Sequence, residues 1–154
     1  MPFEFSMLYI ASDHAGFQLK EELDDYLETL GQKIEDLGPY EMNPQDDYPD
    51  FALALAKKVA SGEDGIGILI CGTGQGMCMA ANKVGGIRAA FAVDEFTARS
   101  AKEHVDANIL CLGARITDPE TAKKIVKIWL ETPFSGEDRH NRRLKKIEEM
   151  DNSN

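Results

Sequence analysis

ILICGTGQGM, residues 68–77, sets a run of aliphatic side chains directly against three glycines, Gly72, Gly74 and Gly76. A short, continuous apolar run closed by glycine reads as a strand buried on both faces, and the glycines as a turn into a helix. Outward from it the same alternation recurs. Toward the amino terminus, residues 7–11 are apolar and stop at Ser12-Asp13-His14, after which Leu19, Leu23, Tyr26, Leu27 and Leu30 repeat at helical spacing until Gly31. A short strand is expected at 33–37, then the loop GPYEMNPQDDYP, then a helix with Phe51, Leu55 and Val59 on one stripe. Toward the carboxyl terminus, strands are expected at 87–93 and 108–112, with a helix over 95–104 between them. Pro119 opens a helix carrying Ala122, Ile125, Val126 and Trp129; a basic helix follows over 136–150, and residues 151–154 are expected to fray.

Strands that are nearly all apolar, alternating with helices, predict a three-layer, Rossmann-like α/β fold: a five-stranded parallel sheet with helices on both faces. At 154 residues, with 43% hydrophobic and 29% charged side chains, one domain over 1–154 accounts for the chain. Three cysteines without close pairing, and an opening segment with no basic region leading into an apolar stretch, fit a reduced cytoplasmic protein. No apolar run approaches the ~20 residues that cross a bilayer, so no membrane partner is expected. A net charge of −10 repels nucleic acid. Against that background RHNRRLKK, residues 139–146, gathers five of the 17 Lys and Arg residues, either as an anion site or as a solvated helix end.

In such a sheet, ligands bind at the carboxyl ends of the strands. Asp13-His14, the glycine stretch 71–76 and Gly113-Ala114-Arg115 all fall there. G-x-G-x-G followed by Met77 and Cys78 matches neither the dinucleotide fingerprint nor the P-loop, and no arginine closes the loop as in a cysteine phosphatase. Cys71, Cys78 and Cys111 make no C-x-x-C redox pair, and His14, His104 and His140 lack the close spacing of a zinc site, so neither metal nor cofactor is expected. A cysteine ending a buried strand is by default an inert core thiol. The glycine turn shifts that balance, because a thiolate at a helix N-terminus is stabilised and can act as base or nucleophile. Cys78 and Cys111 keep the inert reading.

SDHAG at 12–16, DYPDFA at 47–52, ICGTGQGM and AANKVGGIRAA from 70, HVDANIL at 104–110, LGAR at 112–115 and GEDRHNRR at 136–143 together resemble ribose-5-phosphate isomerase B and the galactose-6-phosphate isomerase subunits. The resemblance spans nearly the whole chain in order. It implies metal-independent interconversion of ribose 5-phosphate and ribulose 5-phosphate through an enediolate, in a homodimer or a dimer of dimers. Carried over by position, it makes Cys71 the base and Thr73 the hydroxyl that handles protons on the sugar oxygens. Amides of Gly72, Gly74 and Gly76 hold the enediolate oxygen, a preorganised electrostatic contribution. Asp13 and Tyr48 become sugar contacts, His104 the ring-opening histidine, and His14, Arg115, Arg139 and Arg143 the phosphate grip. Some members carry a glutamate where Met77 stands, and most carry an asparagine where Val105 stands.

Arg139 and Arg143, four apart, share one helix face, as two guanidinium forks on a phosphate require. The helix ending at His104 must run antiparallel to the strands, which puts His104 at the amino edge, about 15 Å of helix from the loop holding Cys71. If both serve one sugar, they come from different subunits of a two-fold dimer. Two other readings stay open at this point: isomerisation of a six-carbon sugar phosphate, and a domain that grips a phosphorylated sugar without turning it over.

Overall fold

The structure is a computed structural model and describes residues 7–62 and 64–151. In chain order the elements are β1 (Met7–Ser12), α1 (Phe17–Thr29), β2 (Ile34–Asp36), α2 (Tyr48–Ser61), β3 (Gly65–Cys71), α3 (Gln75–Ala81), β4 (Ala89–Phe91), α4 (Glu95–Glu103), β5 (Ile109–Gly113), α5 (Pro119–Glu131) and α6 (Asp138–Asp151). All five strands are parallel, in the order β2-β1-β3-β5-β4. The chain leaves β1 in one direction to form β2 and returns in the other to form β3. The carboxyl ends of β1 and β3 therefore flank a topological switch point.

Helix boundaries follow local chemistry. The α4 helix starts at a capping box in which the Asp94 carboxylate accepts the Thr97 backbone N–H at 2.7 Å. Asp118 accepts the Thr121 N–H at 3.0 Å to start α5, with Pro119 in the first turn where its missing N–H costs nothing. Inside α1, Leu19, Leu23 and Leu27 recur every fourth residue and are buried.

Side-chain alternation along the strands builds two cores. Ile66, Ile68 and Ile70 of β3, with Leu110 and Leu112 of β5, pack under α1, α4 and α5, with Trp129 fully buried among them. Leu69, Cys71, Ile109 and Cys111 point the other way, against Ala52, Leu55, Ala56 and Val59 of α2 and Met77 and Ala81 of α3. The three-layer fold expected from the sequence is the fold observed. Its edge strands are shorter than the sequence implied: β2 keeps three residues of 33–37 and β4 three of 87–93. α6 runs one residue into the segment expected to fray, because Asp151 accepts the Gly86 N–H at 2.9 Å. The rest of that tail, 152–154, and the opening residues 1–6 lie outside the described residues.

Candidate functional site

Strand register brings most of the candidate residues to one edge. Cys71 pairs with Gly113, so the glycine turn and the Gly113-Ala114-Arg115 turn leave the sheet side by side. Two hydrogen bonds lace them together: Ala114 N–H to the Cys71 carbonyl and Arg115 N–H to the Gly72 carbonyl, each 2.9 Å. The Arg115 guanidinium lies over the loop, since a methyl group at Gly72 would stand 3.0 Å from its Nη1. Asp13 joins from β1 through its N–H on the Ile70 carbonyl, 3.2 Å, and its buried carboxylate accepts the Gly16 N–H at 3.1 Å.

Two glycines of the loop are required by shape. Gly74 has φ +81°, and a methyl there would lie 2.7 Å from the Phe91 ring. Gly76 lies under Tyr48, whose ring would be 2.5 Å from a methyl at that position. Tyr48 opens α2 and stays 39% exposed, so it reaches the loop from the side facing solvent.

The amides of the turn are divided. Gly74 N–H donates to Cys71 Sγ at 3.2 Å, and Gln75 N–H to Thr73 Oγ1 at 3.4 Å. The Gly76 N–H lies in the first turn of α3, where helix geometry supplies no intrahelical acceptor. The sulfur therefore sits at the floor of the turn, in a residue only 5% exposed, while Thr73 is exposed at its rim. Met77 is fully buried in the core beneath.

His14 is held by a residue that the sequence reading passed over. Asp46, at the end of the loop before α2, accepts the His14 backbone N–H at 3.0 Å, and the same Oδ1 lies 2.7 Å from the ring Nδ1. Donor atoms of Asp13, His14 and Asp46 lie within 4.8 Å of one another. The 2.7 Å approach of His14 Nδ1 to Asp46 Oδ1 accounts for two of those three. Only the pair Asp46-Asp47 ahead of Tyr48 hinted at it in the sequence.

The thiols divide unevenly as well. A hydrogen bond with Cys111 lowers the pKa of Cys78 to about 7, against an opposing effect of burial. That hydrogen bond, burial, and the nearby Cys78 and Cys71 sulfurs push Cys111 well up. Cys78 is therefore more acidic than an inert core thiol.

Three candidates lie elsewhere. His104 caps α4 at the amino edge, four residue steps of β5 and a further loop away from Gly113; those steps alone span about 13 Å. Its ring packs on buried His140 of α6 at 4.8 Å between centroids, and His140 Nδ1 is 2.6 Å from Ser135 Oγ. Arg139 and Arg143 share that helix and that edge, with Arg139 Nε on Glu137 at 2.8 Å. A cleft of about 420 Å³ lined by Arg99, Glu103, Thr132 and Ser135 opens on the same side. Within one chain, then, Cys71, Thr73, Asp13, His14, Tyr48 and Arg115 converge at the carboxyl edge, and His104, Arg139 and Arg143 do not join them.

Fold and site together define a doubly wound α/β protein with Asp13, His14, Cys71, Thr73 and Arg115 gathered at its switch point, where ligands bind in such folds. The family model for ribose/galactose isomerases matches residues 8–147. A probable ribose-5-phosphate isomerase B of Mycoplasma pneumoniae is 50% identical over 91% of each chain. A D-erythrulose-4-phosphate isomerase of Pectobacterium atrosepticum is 43% identical over 82% of this chain and 84% of its own. The crystal structure of ribose-5-phosphate isomerase B from Mycoplasma genitalium with bound ribulose-5-phosphate superposes with a TM-score of 0.94, at 44% identity over 99% of this chain and 100% of that one. The chain belongs to the ribose/galactose isomerase family. Among the described residues no helix is long and apolar enough to cross a membrane.

Proposed function

We propose that the protein interconverts D-ribose 5-phosphate and D-ribulose 5-phosphate through an enediolate, in a homodimer whose two sites each draw on both subunits. One observation carries the reading: the Cys71 sulfur lies at the floor of the glycine turn, on the Gly74 amide, with Thr73, Tyr48 and Arg115 around the rim. The thiolate takes the proton from the second sugar carbon, and the electron pair forms the carbon–carbon double bond as charge moves to the carbonyl oxygen. The Gly76 N–H meets that oxygen with a donor already in place. Thr73 Oγ1 passes a proton between the two enediol oxygens, and the Cys71 thiol returns its proton to the first carbon. Asp13 and Tyr48 hold sugar hydroxyls. With Met77 buried, no carboxylate competes with the thiol for the role of base at that position.

His104 opens the furanose ring from the partner subunit, and Arg139 and Arg143 arrive with it on α6 to close on the phosphate beside His14 and Arg115. The separation of the two sheet edges within one chain supports this division. Grip by Arg139 displaces its Glu137 contact. Cytoplasmic residence, no bound cofactor and no nucleic-acid partner go with this reading.

Mixing Cys71→Ala and His104→Ala subunits, each inactive alone, regenerates one intact site per heterodimer and about a quarter of wild-type activity after random exchange of two-fold dimers. No recovery after verified exchange refutes shared sites. Turnover of four-, five- and six-carbon aldose phosphates by the purified protein tests the substrate; preference for a sugar other than the five-carbon one replaces the ribose assignment.

A further inference from the structure

We propose that Asp46 is a positioning residue that fixes His14 with Nδ1 protonated and Nε2 turned outward, so that His14 presents an aligned N–H donor to the phosphate. This rests on reading the site as one for a phosphorylated sugar. Asp46 Oδ1 receives two bonds from one residue, the backbone N–H at 3.0 Å and the ring Nδ1 at 2.7 Å, so both the position and the rotation of the imidazole are set. The carboxylate lies behind, with 8% of its side chain exposed, and the ring lies in front, with 31% exposed. A length of 2.7 Å falls in the charge-assisted range.

Proton counting gives the arrangement its meaning. A neutral imidazole carries one N–H. With that proton on Nδ1 and directed at Asp46, Nε2 can donate to a phosphate oxygen only when the ring carries two, and such a ring is a cation facing the Asp46 anion. Oδ2 of Asp46 is buried without a hydrogen-bond partner among the described residues. Burying part of a carboxylate without a partner costs free energy. A residue that only tied this loop to β1 could be asparagine, whose amide oxygen would accept the same two bonds without a charge. The desolvated carboxylate is what a cationic imidazole on the phosphate requires.

Nitrogen NMR of the full chain with labelled histidine reads the tautomer directly and needs no turnover. The expected wild-type spectrum has the His14 proton on Nδ1 in the free chain and protons on both ring nitrogens once phosphate is bound, and Asp46→Ala loses the Nδ1 preference. With inorganic phosphate as the probe, Asp46→Ala weakens binding at least about tenfold, the scale of one hydrogen bond to a charged group. His14→Ala does the same, and the double variant is no weaker than His14→Ala. Kinetically the loss falls on KM for ribose 5-phosphate more than on kcat. Should Asp46→Ala fail to fold, Asp46→Asn, which keeps the acceptor and removes the charge, must lie between wild type and His14→Ala. A wild-type His14 protonated at Nε2 with Nδ1 bare, losses that multiply in the double variant, or a wild-type chain that binds no phosphate each overturn the proposal. A chain that binds phosphate with the expected tautomer but isomerises no sugar phosphate refutes the proposed function instead.

Discussion

Replacing Gly74 with alanine separates two costs that the structure places on one residue. At φ +81° any side chain pays roughly 1–2 kcal/mol for the left-handed conformation. The new methyl would also lie 2.7 Å from the Phe91 ring and 3.0 Å from the Leu112 carbonyl carbon, and crowding of that kind in a packed interior costs about 1–3 kcal/mol. Gly31 supplies the control, with φ +75° and nothing within 4 Å of a methyl. Gly31→Ala should therefore lose roughly 1–2 kcal/mol, and Gly74→Ala roughly 2–5 kcal/mol. For a chain of this size each kcal/mol moves the thermal midpoint by about 2–4 °C, so the two variants should separate in paired melts and urea titrations. Because Phe91 must move, Gly74→Ala should also release the Gly74 N–H from Cys71 Sγ and lose isomerase activity, while Gly31→Ala keeps it. Equal stability losses for the two variants would refute the packing argument for the turn.

Lys20 is fully buried on α1 with Nζ 2.6 Å from Asp36, so Lys20→Met removes the counter-charge of a carboxylate that keeps its bond from the Gly38 N–H; with Asp36 still 22% exposed, the loss should stay at or below about 3 kcal/mol in urea titration, and adding Asp36→Leu should restore part of it. Alkylation of Cys78, followed by mass spectrometry, should titrate with a midpoint near pH 7, and Cys111→Ala should move that midpoint up by removing the hydrogen bond that lowers it. Asp94 has its pKa held below 3.8 by the Thr97 backbone and hydroxyl. A depressed carboxylate stabilises the fold above its unfolded pKa and loses that contribution as pH falls through the folded one. The wild type should thus outlast Asp94→Asn in melts at pH 7, and the gap should close as pH drops below the ordinary 3.8.

The layered fold was legible because its determinants are local. Runs such as Ile66–Ile70 and stripes such as Leu19, Leu23 and Leu27 declare which faces are buried, and glycine, proline and aspartate mark where each element stops. The strand order β2-β1-β3-β5-β4 was not, since which neighbour β5 takes depends on how α4 and α5 pack across the sheet. At the site, the glycine turn could be read because three glycines have few other uses in so short a span. Asp46 could not, because it reaches His14 across 32 residues of chain through a loop with no periodicity. Cys78 was read as inert because sequence cannot show that Cys111 of another element stands beside it. The separation of His104 from Cys71 was legible from helix direction alone, and the register of β3 with β5 places the two at opposite edges.

The Cys71 sulfur is the group proposed to move the proton between carbons. Incubating wild type and Cys71→Ala with ribose 5-phosphate in deuterated water, and reading deuterium at the second carbon of the recovered aldose, tests that step without reliance on net turnover. Wild type should incorporate the label, and Cys71→Ala should incorporate it about 10²–10⁴ times more slowly, the range a positioned general base contributes. Label entering at the wild-type rate in the alanine variant would contradict the account.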